Sequence, residues 1–171
     1  PENLKYHPGH AWAQVGAGEL VTVGVDDFAS KLVGRPSGLR LPEVGARIAQ
    51  GERAFGLTCD GKTIDVLAPV DGTVVAVNPQ LVSSPALITD DPYGKGWLVK
   101  VKPGRMGANV KQLLSGGLAR RWMEEACEGL QALMSPELGR VLQDGGVPAD
   151  GMARNLDPVH WDDLARRFLL T

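Results

Sequence analysis

Four consecutive residues, Cys59-Asp-Gly-Lys62, bring a thiol, a carboxylate and an amine together around one glycine. An amine can accept an acyl group, and a cation beside a thiol lowers its pKa and makes it reactive. Asp60-Gly61 is a strong signal for a two-residue hairpin loop, because a type I′ turn needs positive φ at both central residues. With those two residues as the loop, Cys59 pairs with Lys62, Thr58 with Thr63, Leu57 with Ile64, Gly56 with Asp65 and Phe55 with Val66. Directly opposed residues share a face. The apolar pairs Leu57/Ile64 and Phe55/Val66 belong on the core side, and Thr58/Thr63 and Gly56/Asp65 on the solvent side. A period of two then places Cys59 and Lys62 on the core side as well. Gly61, at the tip, has no side chain to modify. Strand twist beside the turn still lets the long stem of Lys62 bend toward water. A lone cysteine in such a strand reads as a small buried hydrophobe, with a thiol-redox role for Cys59 as the remote alternative.

Other chemistry-bearing residues are sparse. His7, His10 and His160 do not cluster, and His10 beside Trp12 reads as a hydrogen-bonded structural histidine. Cys59 and Cys127 lie too far apart in sequence to suggest a metal cluster or a disulfide framework, so free thiols in a reducing cytoplasm are expected. Gly145-Gly146 lacks the preceding strand and the Gly-Lys-Ser/Thr ending of a phosphate loop. No Ser/His/Asp, Cys/His or paired-carboxylate arrangement follows from spacing, so no catalytic residue and no metal site is assigned.

The chain has 171 residues, a hydrophobic fraction of 43% and a formal net charge of -2, which suits one domain or a small domain with an appendage. No basic run offers a nucleic-acid footprint, and no apolar stretch approaches the ~20 residues that span a bilayer. Before Pro103-Gly104, short β-type runs alternate with Gly, Pro and Asp: Leu20-Val-Thr-Val-Gly-Val25, 54–57, 62–67, 73–77 and 97–101. One helix is expected from Asp26, as N-cap, to Leu32, with Gly34 at its C-terminal end. Beyond 104 the period changes. Leu118, Trp122, Met123, Cys127, Leu130 and Met134 fall on one face of a helix over 117–134. Ser135-Pro136-Glu137 reads as a second helix start, and a final helix after Asp157-Pro158 carries Trp161, Leu164, Phe168 and Leu169. The expected fold class is α+β, with residues 1–104 as a β domain and 105–171 as a helical extension packed on it.

Five segments, in order, carry a family resemblance: His10-Ala-Trp12; Val23-Gly-Val-Asp-Asp-Phe-Ala29; Leu41-Pro-Glu-Val-Gly45; Ala68-Pro-Val-Asp-Gly-Thr-Val-Val-Ala-Val-Asn78; and Ser84-Pro85 with Asp91-Pro-Tyr-Gly-Lys-Gly-Trp97. Together they cover roughly the first hundred residues. That region resembles the glycine-cleavage H protein. The resemblance implies a flattened β-barrel, or barrel-sandwich hybrid, of the lipoyl-domain type with peripheral helices. It implies a non-catalytic carrier, with lipoate on a hairpin lysine shuttling an aminomethyl unit between partner enzymes. The family normally has a Glu-Ser-Val-Lys-Ala type of sequence at the hairpin. Here the stretch is one residue shorter and lacks that Glu, Ser and Val. Counted forward from Phe55-Gly56, the lipoyl position is Lys62; counted back from Ala68-Pro69, it is Gly61.

The residues rank three readings. The first is a carrier-fold scaffold that has no lipoyl group and docks on other proteins, such as multienzyme-complex subunits. The alternative is a lipoylated carrier modified on Lys62. The remote alternative is the Cys59 thiol protein. Other expected partners include a second copy through the C-terminal helices, but neither nucleic acid nor membrane.

Overall fold

The computed structural model describes residues 4–28, 32, 34–59, 61–104, 109, 111 and 113–134. The expectations for Asp60, for the helices proposed after Ser135 and Asp157, for the Gly145-Gly146 loop and for His160 lie outside these residues.

Among the described residues the strands are β1 (Lys5–Tyr6), β2 (Ala11–Val15), β3 (Val21–Val25), β4 (Gly38–Arg40), β5 (Arg47–Ile48), β6 (Arg53–Cys59), β7 (Lys62–Leu67), β8 (Gly72–Val77) and β9 (Val99–Pro103). They form a six-stranded sheet, ordered β1-β2-β3-β9-β8-β5, and a three-stranded sheet, ordered β4-β6-β7. Alternation decides which side chains go inward. In β9, Val99 and Val101 are buried and Lys100 between them is not. Val21 and Val23 of β3 do the same around Thr22, which pairs with Lys100 on the outer side. The inward residues of both sheets meet in one core: Val21, Val23, Val74, Val99 and Val101 from the first, Phe55, Leu57, Ile64 and Val66 from the second. This is the α+β barrel-sandwich expected from the sequence.

The helix expected after Asp26 is present at residues 27, 28 and 32. Asp26 caps it, its Oδ1 accepting the Phe28 N–H at 3.0 Å. Gly34, with φ of 79°, takes the left-handed conformation that ends helices. Two further short helices, α1 (Gln80–Ser83) and α2 (Leu87–Asp90), bury Leu81 and Ile88 in the core.

Trp12 explains a glycine. Its indole Nε1 donates to the Val25 carbonyl at 2.9 Å and to the Pro92 carbonyl at 3.1 Å. The ring therefore lies flat over Gly24, its partner across β2–β3. A Cβ on Gly24 would come within 2.4 Å of the ring.

Helix α3 (Gly116–Met134) packs on the sheets. Its contact stripe differs from the expected one at the start. Leu118 is exposed, and Ala119 is buried in its place. Ala119, Trp122, Met123, Ala126 and Cys127 face the barrel. That is the i, i+3, i+4, i+7, i+8 pattern of one face, and Leu118 lies to its side. The entry to α3 is fixed at two places. Tyr6 and Leu114 exchange backbone hydrogen bonds, each 2.7 Å. Asn109 takes the Asp71 N–H on its Oδ1 at 2.8 Å and gives its Nδ2 to Gln50 Oε1 at 3.2 Å.

Candidate functional site

The β6–β7 hairpin has the pairing expected from Asp60-Gly61. Cys59 opposes Lys62, Thr58 opposes Thr63, Leu57 opposes Ile64, Gly56 opposes Asp65 and Phe55 opposes Val66. The faces also divide as expected. Leu57, Ile64, Phe55 and Val66 are core residues. On the outer face the Thr58 and Thr63 hydroxyls lie 3.1 Å apart. Arg40 reaches Asp65 at 2.8 Å, and Arg53 approaches the same carboxylate at 3.9 Å.

At the end of the hairpin the two sides are unlike. Cys59 is only 3% exposed and belongs to the core cluster, the setting of a small hydrophobe rather than an accessible nucleophile. Lys62 is half-buried on the same face as Ile64, and Gly61 is exposed with φ of 76°. The tip therefore presents backbone at position 61, and the hairpin's lysine stands one residue further along β7. Cys127, on α3, is half-buried; neither thiol is in a disulfide. Among the described residues no group of three or more His, Cys, Asp and Glu side chains is placed to hold a metal ion.

The histidines have structural surroundings. His10, with φ of 68°, donates from Nδ1 to Asp26 Oδ2 at 2.7 Å, and both residues are about 1% exposed. The ring is stacked between Phe28 (4.2 Å between centroids) and Trp122 of α3 (4.4 Å). His7 accepts the Gly9 N–H on its Nδ1 at 3.0 Å. Burial, and secondarily His10, holds the His7 imidazole below its ordinary range. Nearby, Tyr93 Oη donates to Asp27 Oδ1 at 2.9 Å and accepts the Asp27 N–H at 3.1 Å. Burial first, then the Asp26 charge, pushes its phenol up. The Asp91–Trp97 segment is thus a turn that seats aromatics against the barrel. Asp91 Oδ2 accepts the Lys95 N–H at 2.9 Å, and Asn78 Nδ2 donates to the Lys95 and Trp97 carbonyls. Sequence reasoning had given Asp26 a capping role only. Its partner His10 lies 16 positions earlier, and spacing alone offers no signal for that pair.

Two β-sheets packed on one core, with β6 and β7 joined as a hairpin, define a barrel-sandwich fold. The comparisons give the particular family. Residues 4–126 match the family model described as glycine cleavage H-protein. The glycine cleavage system H protein of Acinetobacter baumannii strain ATCC 17978 is 42% identical over 115 residues, 67% of this chain and 91% of that one. That of Carboxydothermus hydrogenoformans is 40% identical over 129 residues, 75% of this chain and 97% of that one. The crystal structure of a glycine cleavage system H protein from Mycobacterium marinum superposes with a TM-score of 0.63 at 32% identity, covering 73% of this chain and 97% of that one. The chain belongs to the glycine cleavage H-protein family, whose members are lipoyl carriers rather than enzymes. The matched span runs past residue 104 and takes in more than half of α3.

Proposed function

We propose that this chain is an H-protein-type module that docks on partner proteins of a multienzyme system and works without a lipoyl arm. One observation carries the reading: Gly61, the described residue of the turn, is exposed, and the only lysine of the hairpin strands is paired across from buried Cys59. A swinging arm needs its anchor at the most exposed point of the hairpin, with the side chain directed away from the barrel. Gly61, with no side chain to modify, and half-buried Lys62 do not fit that requirement. Lys62 shares the face of Cys59 and Ile64, where part of its stem is covered.

A second reading has its own support. The family carries lipoate on a lysine, and Lys62 is the one lysine in the stretch 53–67. Bending of its four-carbon stem around the hairpin end would bring Nζ to water. On this reading the chain is a lipoylated carrier that serves the enzymes of glycine cleavage.

Intact-mass measurement of the full chain after co-expression with a lipoate ligase separates the two. The docking reading expects the unmodified mass. An increment of one lipoyl amide, mapped by digestion to Lys62, overturns it in favour of the carrier.

A further inference from the structure

We propose that the outer face of the six-stranded sheet around Val75 is a docking surface for an acidic segment of a partner protein, one with apolar side chains among its carboxylates. This rests on the docking reading above and gives the partner its chemistry.

Register brings the cations together. Arg47 of β5 opposes Thr73 of β8, and Thr73 opposes Lys102 of β9. Directly opposed residues share a face. Ile48 and Val101, the neighbours of Arg47 and Lys102, are buried, so this row faces solvent. Lys100, opposite Thr22, lies on the same face two residues along β9. Its Nζ stands 5.2 Å from the centroid of the Trp97 ring, which holds the ammonium close to the sheet. Strand spacing sets Arg47 about 10 Å from Lys102 at the backbone, and Lys100 about 7 Å from it. Among the described residues none of the three cations is in an ion pair. Their mutual repulsion costs stability, and a chain of net charge -2 does not impose it by composition.

A bulge supplies the apolar part. Val74 opposes Val101 on the core side and Ala76 opposes Lys100 on the outer side, with a register shift between them at Val75. A bulge re-aims a side chain out of the alternation, and Val75 is left 39% exposed. Val44 lies beside it, because the Gly45 N–H donates to the Val74 carbonyl at 2.7 Å; Val44 is 64% exposed. The face thus presents two bare valines next to three uncompensated cations. Carboxylates satisfy the cations, and apolar side chains between them cover the valines. A nucleic acid fits less well. Three cations release few counterions, the acidic chain repels phosphates, and the valines gain no partner. An anionic membrane meets the same repulsion.

The test titrates the isotope-labelled full chain with a short peptide of Glu-Leu-Ser repeats and with its counterpart carrying Lys for every Glu. Amide NMR shifts are followed at low and high salt. The expected result is saturable shifts around Val44, Arg47, Val75 and Lys102 with the Glu peptide only, weakened by salt. Lys102→Glu should weaken binding about tenfold, and Lys100→Gln less. A thermal melt shows that each variant is folded, and the fully exposed setting of Lys102 makes it the secure one of the two. The proposal is overturned by absent or unsaturable shifts, by equal binding of both peptides, or by undiminished binding to folded Lys102→Glu. Tighter binding of a single-stranded oligonucleotide or of phosphatidylserine vesicles at these amides overturns it too. So do shifts of the same amides on concentrating the chain alone, which would mean that a second copy covers the face. The docking reading fails separately, by a lipoyl increment on Lys62 in the intact mass, whatever the peptides do.

Discussion

His10 and Asp26 form a hydrogen bond of 2.7 Å in the interior, and the histidine half of that pair is the middle ring of a stack that reaches from Phe28 to Trp122 on α3. The bond orients the imidazole, and the oriented imidazole gives α3 a flat surface to land on. His10→Ala removes the stack and leaves the Asp26 carboxylate buried without its histidine. Breaking a buried polar pair on one side costs about 3–5 kcal/mol, so the variant should unfold at much lower urea. Phe28 N–H still caps on Asp26 in this variant. A loss below about 1 kcal/mol, the scale of an exposed ion pair, would show that the stack does not hold the helix.

Gly24 lies beneath the Trp12 indole, and the ring is held by two carbonyl acceptors. Gly24→Ala forces a methyl into space the ring occupies. The indole has to leave the Val25 and Pro92 carbonyls or the strands have to part. Overpacking of this kind costs about 1–3 kcal/mol. Denaturant midpoints together with Trp fluorescence check it. An unshifted midpoint and an unshifted emission spectrum would mean that the ring yields freely.

His7 gives the chain an acid sensitivity whose sign is set by burial. Its native pKa lies below the ordinary 6.5 of the unfolded side chain. Between the two values the unfolded chain binds a proton that native His7 does not. The stability it contributes is complete above pH 6.5 and declines as pH falls through the lowered native value. His7→Gln should therefore flatten the dependence of the melting temperature on pH below 6.5. Parallel slopes for the two proteins would contradict the assignment.

Much of the hairpin was legible because the turn chemistry is local. Asp60-Gly61 sets the register, and register sets the face of every residue from Phe55 to Val66. The Asp26 cap and Gly34 were legible for the same reason. What was missed depends on partners far away in the chain. Leu118 looked like the start of the α3 stripe, but the position that meets Tyr6 and Trp12 is Ala119. An apolar pattern gives the period of a helix more reliably than its phase when a small residue makes the contact. The Gln50, Asp71 and Asn109 cluster joins residues separated by 21 to 59 positions, and no pattern within a single segment encodes it. Likewise nothing in His10-Ala-Trp12 indicated that the histidine would stack on a helix beginning more than a hundred residues later.

The backbone bridge between Tyr6 and Leu114 has a consequence for the order of assembly. Closing a loop of that span costs on the order of 4 kcal/mol of chain entropy if the chain between is unstructured. It costs far less once the sheets have formed and brought the two segments close. The bridge is therefore expected to form late in folding, with β1 and the root of α3 joining the protein together. The same coupling runs in reverse. Fluctuations that free β1 release the seat of α3 in the same step, so amide protons of Tyr6 and Leu114 should exchange with a common opening rate, slower than fraying and faster than global unfolding.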